Sequence, residues 1–192
     1  MTSIGSYAFF ACNSLKDIFY SGTYAQWSAI HKGSGWDSYT GNYTLHCSDD
    51  VPGASEGLVF TSYGNGTCYV SSIGSCTDTE VIIPEFSPRG DKVTGIGDWA
   101  FFDCSSLTSV TVPDSVTSIS DAAFYGCSSL TSVTIPNSMT SFGLWALENC
   151  TALRDIYYSG TVSQWYSISK MSDWNNNTGS YTVHCTDGDL AK

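Results

Sequence analysis

The chain has 192 residues, with 18 acidic and 7 basic side chains, eight cysteines and a formal net charge of −11. Only 13% of residues are charged while 42% are hydrophobic and 14% aromatic. That excludes disorder, since disordered chains are charge-rich and aromatic-poor, and excludes nucleic acid, which needs a basic patch. No apolar run approaches the roughly 20 residues of a membrane span, and a composition of small polar residues, Gly and aromatics belongs to β-rich proteins outside cells.

Residues 4–49 return at 142–187 without a gap, and half of the aligned pairs are identical, among them Trp27 with Trp165, Trp36 with Trp174, His46 with His184 and Cys47 with Cys185. The offset is six times a shorter step of 23 residues. Residues 1–49 therefore read as the C-terminal part of a first module with its cap, and the start of the chain as a fragment boundary. The absence of a signal peptide then says little about localisation. Within this segment Ala8–Tyr20 is a degraded repeat. Thr23-Tyr-Ala-Gln26 is a capping box for a short helix carrying Trp27 and Ile30. A Gly/Asn/Ser loop and a strand at Tyr43–Cys47 follow.

Residues 50–95 open a second module. Leu58–Phe60 and Thr67–Val70 flank Ser62-Tyr-Gly-Asn-Gly66, a hairpin signal, and Glu80–Pro84 is a repeat strand. Pro84 to Pro113 spans six residues more than the 23-residue step, and the excess falls around Ser87–Asp91.

Residues 96–187 hold the clearest repeats and the second cap. Cys104, Cys127 and Cys150 keep the 23-residue step, as do Leu107, Leu130 and Leu153, and Val110, Val133 and Ile156. Ser109–Val112 alternates as a strand, and Pro113 ends it by removing a donor. Ala100, Phe101 and Cys104, at i, i+1 and i+4, predict one short helical turn with a buried stripe. A 23-residue unit cannot close a core alone, whereas stacked units can. The fold class is thus a β-rich repeat solenoid with parallel strands on one face. Thr161–Gln164 repeats the capping box, Tyr181–Cys185 repeats the cap strand, and 188–192 is a tail.

The pattern AF-x-x-C-x-x-L-x-x-V-x-[VI]-P followed by V-T-x-I, at Ala100–Pro113 and Ala123–Pro136 with weaker copies at Ala146–Tyr158 and Ala8–Tyr20, resembles the BspA-type leucine-rich repeat family. The resemblance implies a curved, right-handed leucine-rich repeat solenoid with helix-loop-strand caps. It also implies a surface or secreted bacterial protein, some relatives binding host matrix proteins or cells, and no catalytic residues to carry over.

Cys12, Cys104, Cys127 and Cys150 recur at one place in the repeat and read as a thiol ladder in the core, since buried free Cys behaves as a small hydrophobe. Cys47, Cys68, Cys76 and Cys185 lie outside it, and a bridge among the first three is left open. Zinc spacing is absent. His46 and His184 read as cap histidines. Asp17 and Asp155 are single acids on strands, which does not meet the need of hydrolysis for two facing carboxylates. Sequons at Asn42, Asn65, Asn149 and Asn176 are read as idle.

The outward strand positions carry the binding candidates. Ser109, Ser132 and Asp155 form one row, and Thr111, Thr134 and Tyr157 the next, with Asp17 and Phe19 at the same places in the first copy. Such a face suits a host or neighbouring-cell protein, or a glycan. Arg89-Gly90-Asp91 is the integrin-type tripeptide, although turn chemistry alone explains Gly90. The expectation is a non-catalytic, adhesion-type recognition module, extracellular or on a cell surface. It needs no metal or cofactor, does not insert in a membrane and does not bind nucleic acid. A structural spacer is the alternative, and a glycan-active enzyme comes third.

Overall fold

A computed structural model describes residues 1–41, 43–48 and 53–192. The sequon at Asn42 and the acidic pair Asp49–Asp50 that starts the linker lie outside the described residues. The chain divides into two compact units, Met1–Pro52 with Phe86–Lys92, and Gly53–Glu85 with Val93–Lys192.

In unit 1 the elements are β1 (Ser3–Ile4), β2 (Asp17–Phe19), α1 (Tyr24–Ser28), β3 (His31–Lys32) and β4 (Thr44–His46). They pair in parallel, β1 with β3 and β2 with β4. The core is Ile4, Tyr24, Trp27, Ile30, Leu45 and Cys47.

Unit 2 runs β5 (Val59–Ser62), β6 (Thr67–Ser72), β7 (Glu80–Ile82), β8 (Lys92–Ile96), β9 (Ser109–Thr111), β10 (Ser118–Ile119), β11 (Ser132–Ile135), β12 (Ser141–Phe142), β13 (Asp155–Tyr158), α2 (Val162–Ser167), β14 (Ser169–Lys170), β15 (Thr182–Cys185) and β16 (Gly188–Ala191). The hairpin β5–β6 is antiparallel, as the Asn-Gly turn requires. Successive coils then feed two six-stranded sheets, ordered β7-β9-β11-β13-β15-β16 and β5-β6-β8-β10-β12-β14. The second sheet goes beyond the single strand face expected: each coil returns a short strand from its V-T-x-I segment.

The stacking puts like residues on like. Val81, Val110, Val133, Ile156 and Val183 align across the first sheet, and Ile96, Ile119 and Phe142 across the second. Phe101 and Phe124 stack with centroids 4.9 Å apart and planes 9° from parallel, both fully buried. Each such ring contributes roughly 2–3 kcal/mol by burial, and the 23-residue step makes that gain recur coil after coil.

The expected helical turn is absent. Residues 98–103 instead form a ribbon of turns in which Trp99 and Asp103 have φ of +59° and +54°. Ala122 and Gly126 repeat this in the next coil, and Trp145 and Asn149 in the one after. Alternate amides of the ribbon donate to the following coil: Trp99 N to Asp121 O, Phe101 N to Ala123 O and Asp103 N to Tyr125 O, at 2.8–3.0 Å. A helix would spend those donors within its own turn. The ribbon spends them between coils and so ties the stack along a third line.

The cysteine ladder is real but shorter than expected. Cys127 and Cys150 are fully buried, and their thiols donate to Phe101 O and Phe124 O at 3.1 and 3.2 Å. Cys104 is half-buried and Cys12 exposed.

Both capping boxes form. Thr23 and Thr161 accept from the amides of Gln26 and Gln164, whose side chains accept from the threonine amides in return. At the other end of each short helix, Lys170 Nζ donates to Trp165 O at 2.6 Å and Ile168 O at 3.1 Å, and Lys32 Nζ to Trp27 O at 2.8 Å and Ile30 O at 3.4 Å. Each ammonium lies 4.6–4.9 Å over the Trp ring of its helix. The cap loop is itself a further coil: Asp173 and Asn177 take the left-handed positions, and Leu147 N and Asn149 N donate to Trp174 O and Asn176 O. The segment set apart as a tail carries β16, which pairs antiparallel with β15 and covers the sheet edge.

Coils of unit 2 differ in length chiefly at one corner, between a strand of the β7 sheet and the next strand of the β6 sheet. That corner is lengthened between β7 and β8, and again between β13 and β14, where α2 is inserted.

Candidate binding surface

The sequence-predicted face is the outer side of the β7 sheet. Val110, Val133 and Ile156 point into the core, so their neighbours point out. Ser109, Ser132 and Asp155 lie in register in one row, and Thr111, Thr134 and Tyr157 in the other. Thr111 and Tyr157 are exposed, the other four half-buried. Tyr158, in contrast, turns inward and is buried. In unit 1, Asp17 and Phe19 are both exposed, and Phe19 keeps 80% of its surface.

The histidines complete this face. His184 is paired with Tyr157 across β13 and β15, and its ring stacks on the phenol at 5.0 Å and 18°. Its Nε2 lies 2.9 Å from Asp155 Oδ1, and its Nδ1 lies 3.1 Å from Asp189 Oδ1 on β16. These carboxylates hold the imidazole above its ordinary pKa. The Asp155 hydrogen bond has the largest effect, desolvation opposes it, and Asp189 adds to it. Unit 1 repeats the arrangement: His46 Nε2 is 3.0 Å from Asp17 Oδ1, and the ring stacks on Phe19 at 4.6 Å and 13°. Sequence reasoning had the acid, the aromatic and the histidine separately. The signal that joins them is the shared interval of 29 residues from Asp17 to His46 and from Asp155 to His184.

The geometry makes a shelf and a wall. Thr111 and Thr134, with Ser109 and Ser132, form a low hydroxyl floor along the sheet. Tyr157 and Asp155, backed by His184, rise at its end. Among the described residues no cluster of three or more His, Cys, Asp or Glu is arranged to hold a metal, and no helix is long and apolar enough to cross a membrane.

The tripeptide Arg89-Gly90-Asp91 lies against the cap of unit 1. Phe86 stacks on Tyr24 at 4.5 Å, Leu45 N donates to Pro88 O, and Ser28 Oγ donates to Gly90 O. Arg89 is exposed, its guanidinium 5.7 Å from the Tyr43 ring, and Asp91 is half-buried. Gly90 is buried with φ +86°, and a Cβ there would stand 2.9 Å from Leu45 Cδ2, so packing and turn geometry alone require glycine.

Sequence reasoning also missed an aromatic cluster on the turn ribbon. Trp99 meets Phe102 edge-on at 5.1 Å, and Phe102 stacks on Tyr125 at 5.5 Å. The signal was an aromatic at the same place in successive repeats, Phe102 and Tyr125.

These features define a class: a stacked-coil repeat solenoid with dedicated caps and a continuous outward strand face. The chain belongs to the BspA type leucine rich repeat region family, whose profile matches residues 1–29 and 74–173 in six copies. Among solved structures it is similar to a leucine-rich repeat protein from Bacteroides capillosus, at 26% identity and a TM-score of 0.55 over 71% of this chain and 99% of that one. It is also similar to one from Bacteroides ovatus, at 21% identity and a TM-score of 0.53, over 70% of this chain and 37% of that one. A search of curated proteins finds no match.

Proposed function

We propose that the chain is a non-catalytic recognition module of an extracellular or cell-surface protein, which binds a host or neighbouring-cell partner through the outer face of the β7 sheet. The observation that carries this reading is the shelf and wall. Strands β9 and β11 hold Ser109, Ser132, Thr111 and Thr134 outward in register and lead to the exposed Tyr157 ring beside Asp155 on β13, and unit 1 repeats the pairing of ring and carboxylate in Phe19 and Asp17. A merely solvated sheet face gains nothing from an exposed Tyr157. A rigid floor with aromatic and acidic relief suits a macromolecular surface, where aromatic anchors carry much of the binding energy.

The test is binding of the purified chain to arrayed matrix proteins and glycans. Saturable binding lost in Thr111→Arg/Thr134→Arg, and kept in Ser128→Arg on an exposed turn, is the expected result. No binding to any arrayed partner would favour a spacer, and loss in Ser128→Arg alone would move the site off this face.

A further inference from the structure

We infer that the wall of Asp155, Tyr157 and His184, and its counterpart of Asp17, Phe19 and His46, are two like docking points for a lysine- or arginine-bearing segment of a partner protein. This rests on the strand-face reading above and adds the chemistry of the partner.

Ring orientation is the first argument. The Tyr157 and His184 planes are nearly parallel and stacked along the sheet, so the opposite face of Tyr157 looks back over Thr134, its register neighbour on β11. Thr134 and Thr111 are too short to cover it, and Tyr157 keeps 47% of its surface. Phe19 stacks likewise on His46, at 4.6 Å and 13°. An aromatic face carries negative potential and takes the aliphatic stem and the cation of a basic side chain. Asp155 or Asp17, two residues along the same strand, stands where that cation can also meet a carboxylate.

Charge is the second argument. Strands β7, β9, β11, β13 and β15 contain Glu80 and Asp155 and no Lys or Arg. The nearest basic residues in sequence, Lys16 and Arg154, stand just ahead of the strands. The whole chain carries −11. His184 on β15 lies between Asp155 and Asp189, so the carboxylates outnumber the one imidazole there, and a face of this balance steers and retains a basic partner. A neutral glycan would stack on the ring but draw nothing from the charge.

The probe is a short fluorescent peptide of alternating Lys and Gly, followed by anisotropy, with a Glu/Gly peptide and a neutral cello-oligosaccharide as controls. The Lys peptide is expected to bind and the Glu peptide not. Phe19→Ala/Tyr157→Ala, which leaves the charge unchanged, should weaken binding about three- to tenfold, Tyr157→Phe should retain it, and Asp114→Asn at a remote corner should leave it unchanged. Equal binding by the double ring variant would mean diffuse attraction and overturn the inference, as would ring-dependent binding of the oligosaccharide in place of the peptide. If the Lys peptide fails while an arrayed protein is still lost in Thr111→Arg/Thr134→Arg, the inference falls and the strand-face reading stands.

Discussion

His184 meets Asp155 across 29 residues of chain at 2.9 Å, and its other ring nitrogen meets Asp189 at 3.1 Å. An imidazole held between two carboxylates favours its protonated form. Its folded pKa is raised, so the stabilisation it brings is fully present below the unfolded value of about 6.5 and is lost as pH rises through the folded value. An NMR titration of the ring protons should place the His184 midpoint above 6.5, and Asp155→Asn should lower it. A wild-type midpoint at or below 6.5 would contradict the geometry.

The ribbon makes a prediction about thiol chemistry. Cys127 is fully buried, and its thiol is pushed well above the usual range by its neighbour Cys150 and then by burial. Cys104, half-buried, is pushed up to about 11 by burial. In the native protein at about pH 8, maleimide should label Cys12 quickly and spare Cys127 and Cys150 until the chain unfolds, as read by peptide mass spectrometry. Early labelling of Cys127 would mean that the coils open locally.

Left-handed turn positions offer a stability gain. Asp103 sits at φ +54° where the next coil has Gly126 at φ +75°. Its backbone bears a cost of about 1 kcal/mol that glycine avoids, although glycine gives back part of it as chain entropy. Asp103→Gly should therefore leave stability unchanged or raise it by up to about 1 kcal/mol, measured by urea denaturation. A loss above about 1 kcal/mol would show that the Asp103 side chain holds the ribbon.

Core and cap substitutions should separate by burial. Phe124→Ala removes a ring stacked on Phe101 and should cost about 3–5 kcal/mol, whereas Tyr166→Ala, on the exposed side of α2, should stay within about 0.5 kcal/mol. Thr161→Ala removes the capping box and should cost about 1 kcal/mol. The comparison is of denaturation midpoints at constant slope.

Much of this architecture was legible because stacking copies sequence identity into spatial identity. The 23-residue step located the Val110–Val133–Ile156 row, the leucines and the strand face, and the Thr-x-x-Gln boxes located both helices. The ribbon was not legible. Ala100, Phe101 and Cys104 suit a helix or a turn equally, and the deciding factor is whether their amides bond within the coil or to the next one, which is a non-local choice. Two-residue strands such as Ser118–Ile119 are too short for alternation to register. The acid–histidine pairs depend on which strands become neighbours, since Asp155 lies opposite Thr182 and reaches His184 diagonally.

The most variable corner gives the fold a practical property. Strands and ribbon are bound to neighbours above and below, so a residue added there would break two ladders at once. The corner between the two sheets carries no ladder, only such bonds as Ser138 Oγ to Val116 O, and the chain has already used that liberty for α1, for α2 and for the stretch around Pro88. New sequence could be introduced at the Pro113 or Pro136 corner as a removable cassette, leaving the strand ladders and the ribbon untouched and turning a repetitive scaffold into one with addressable positions.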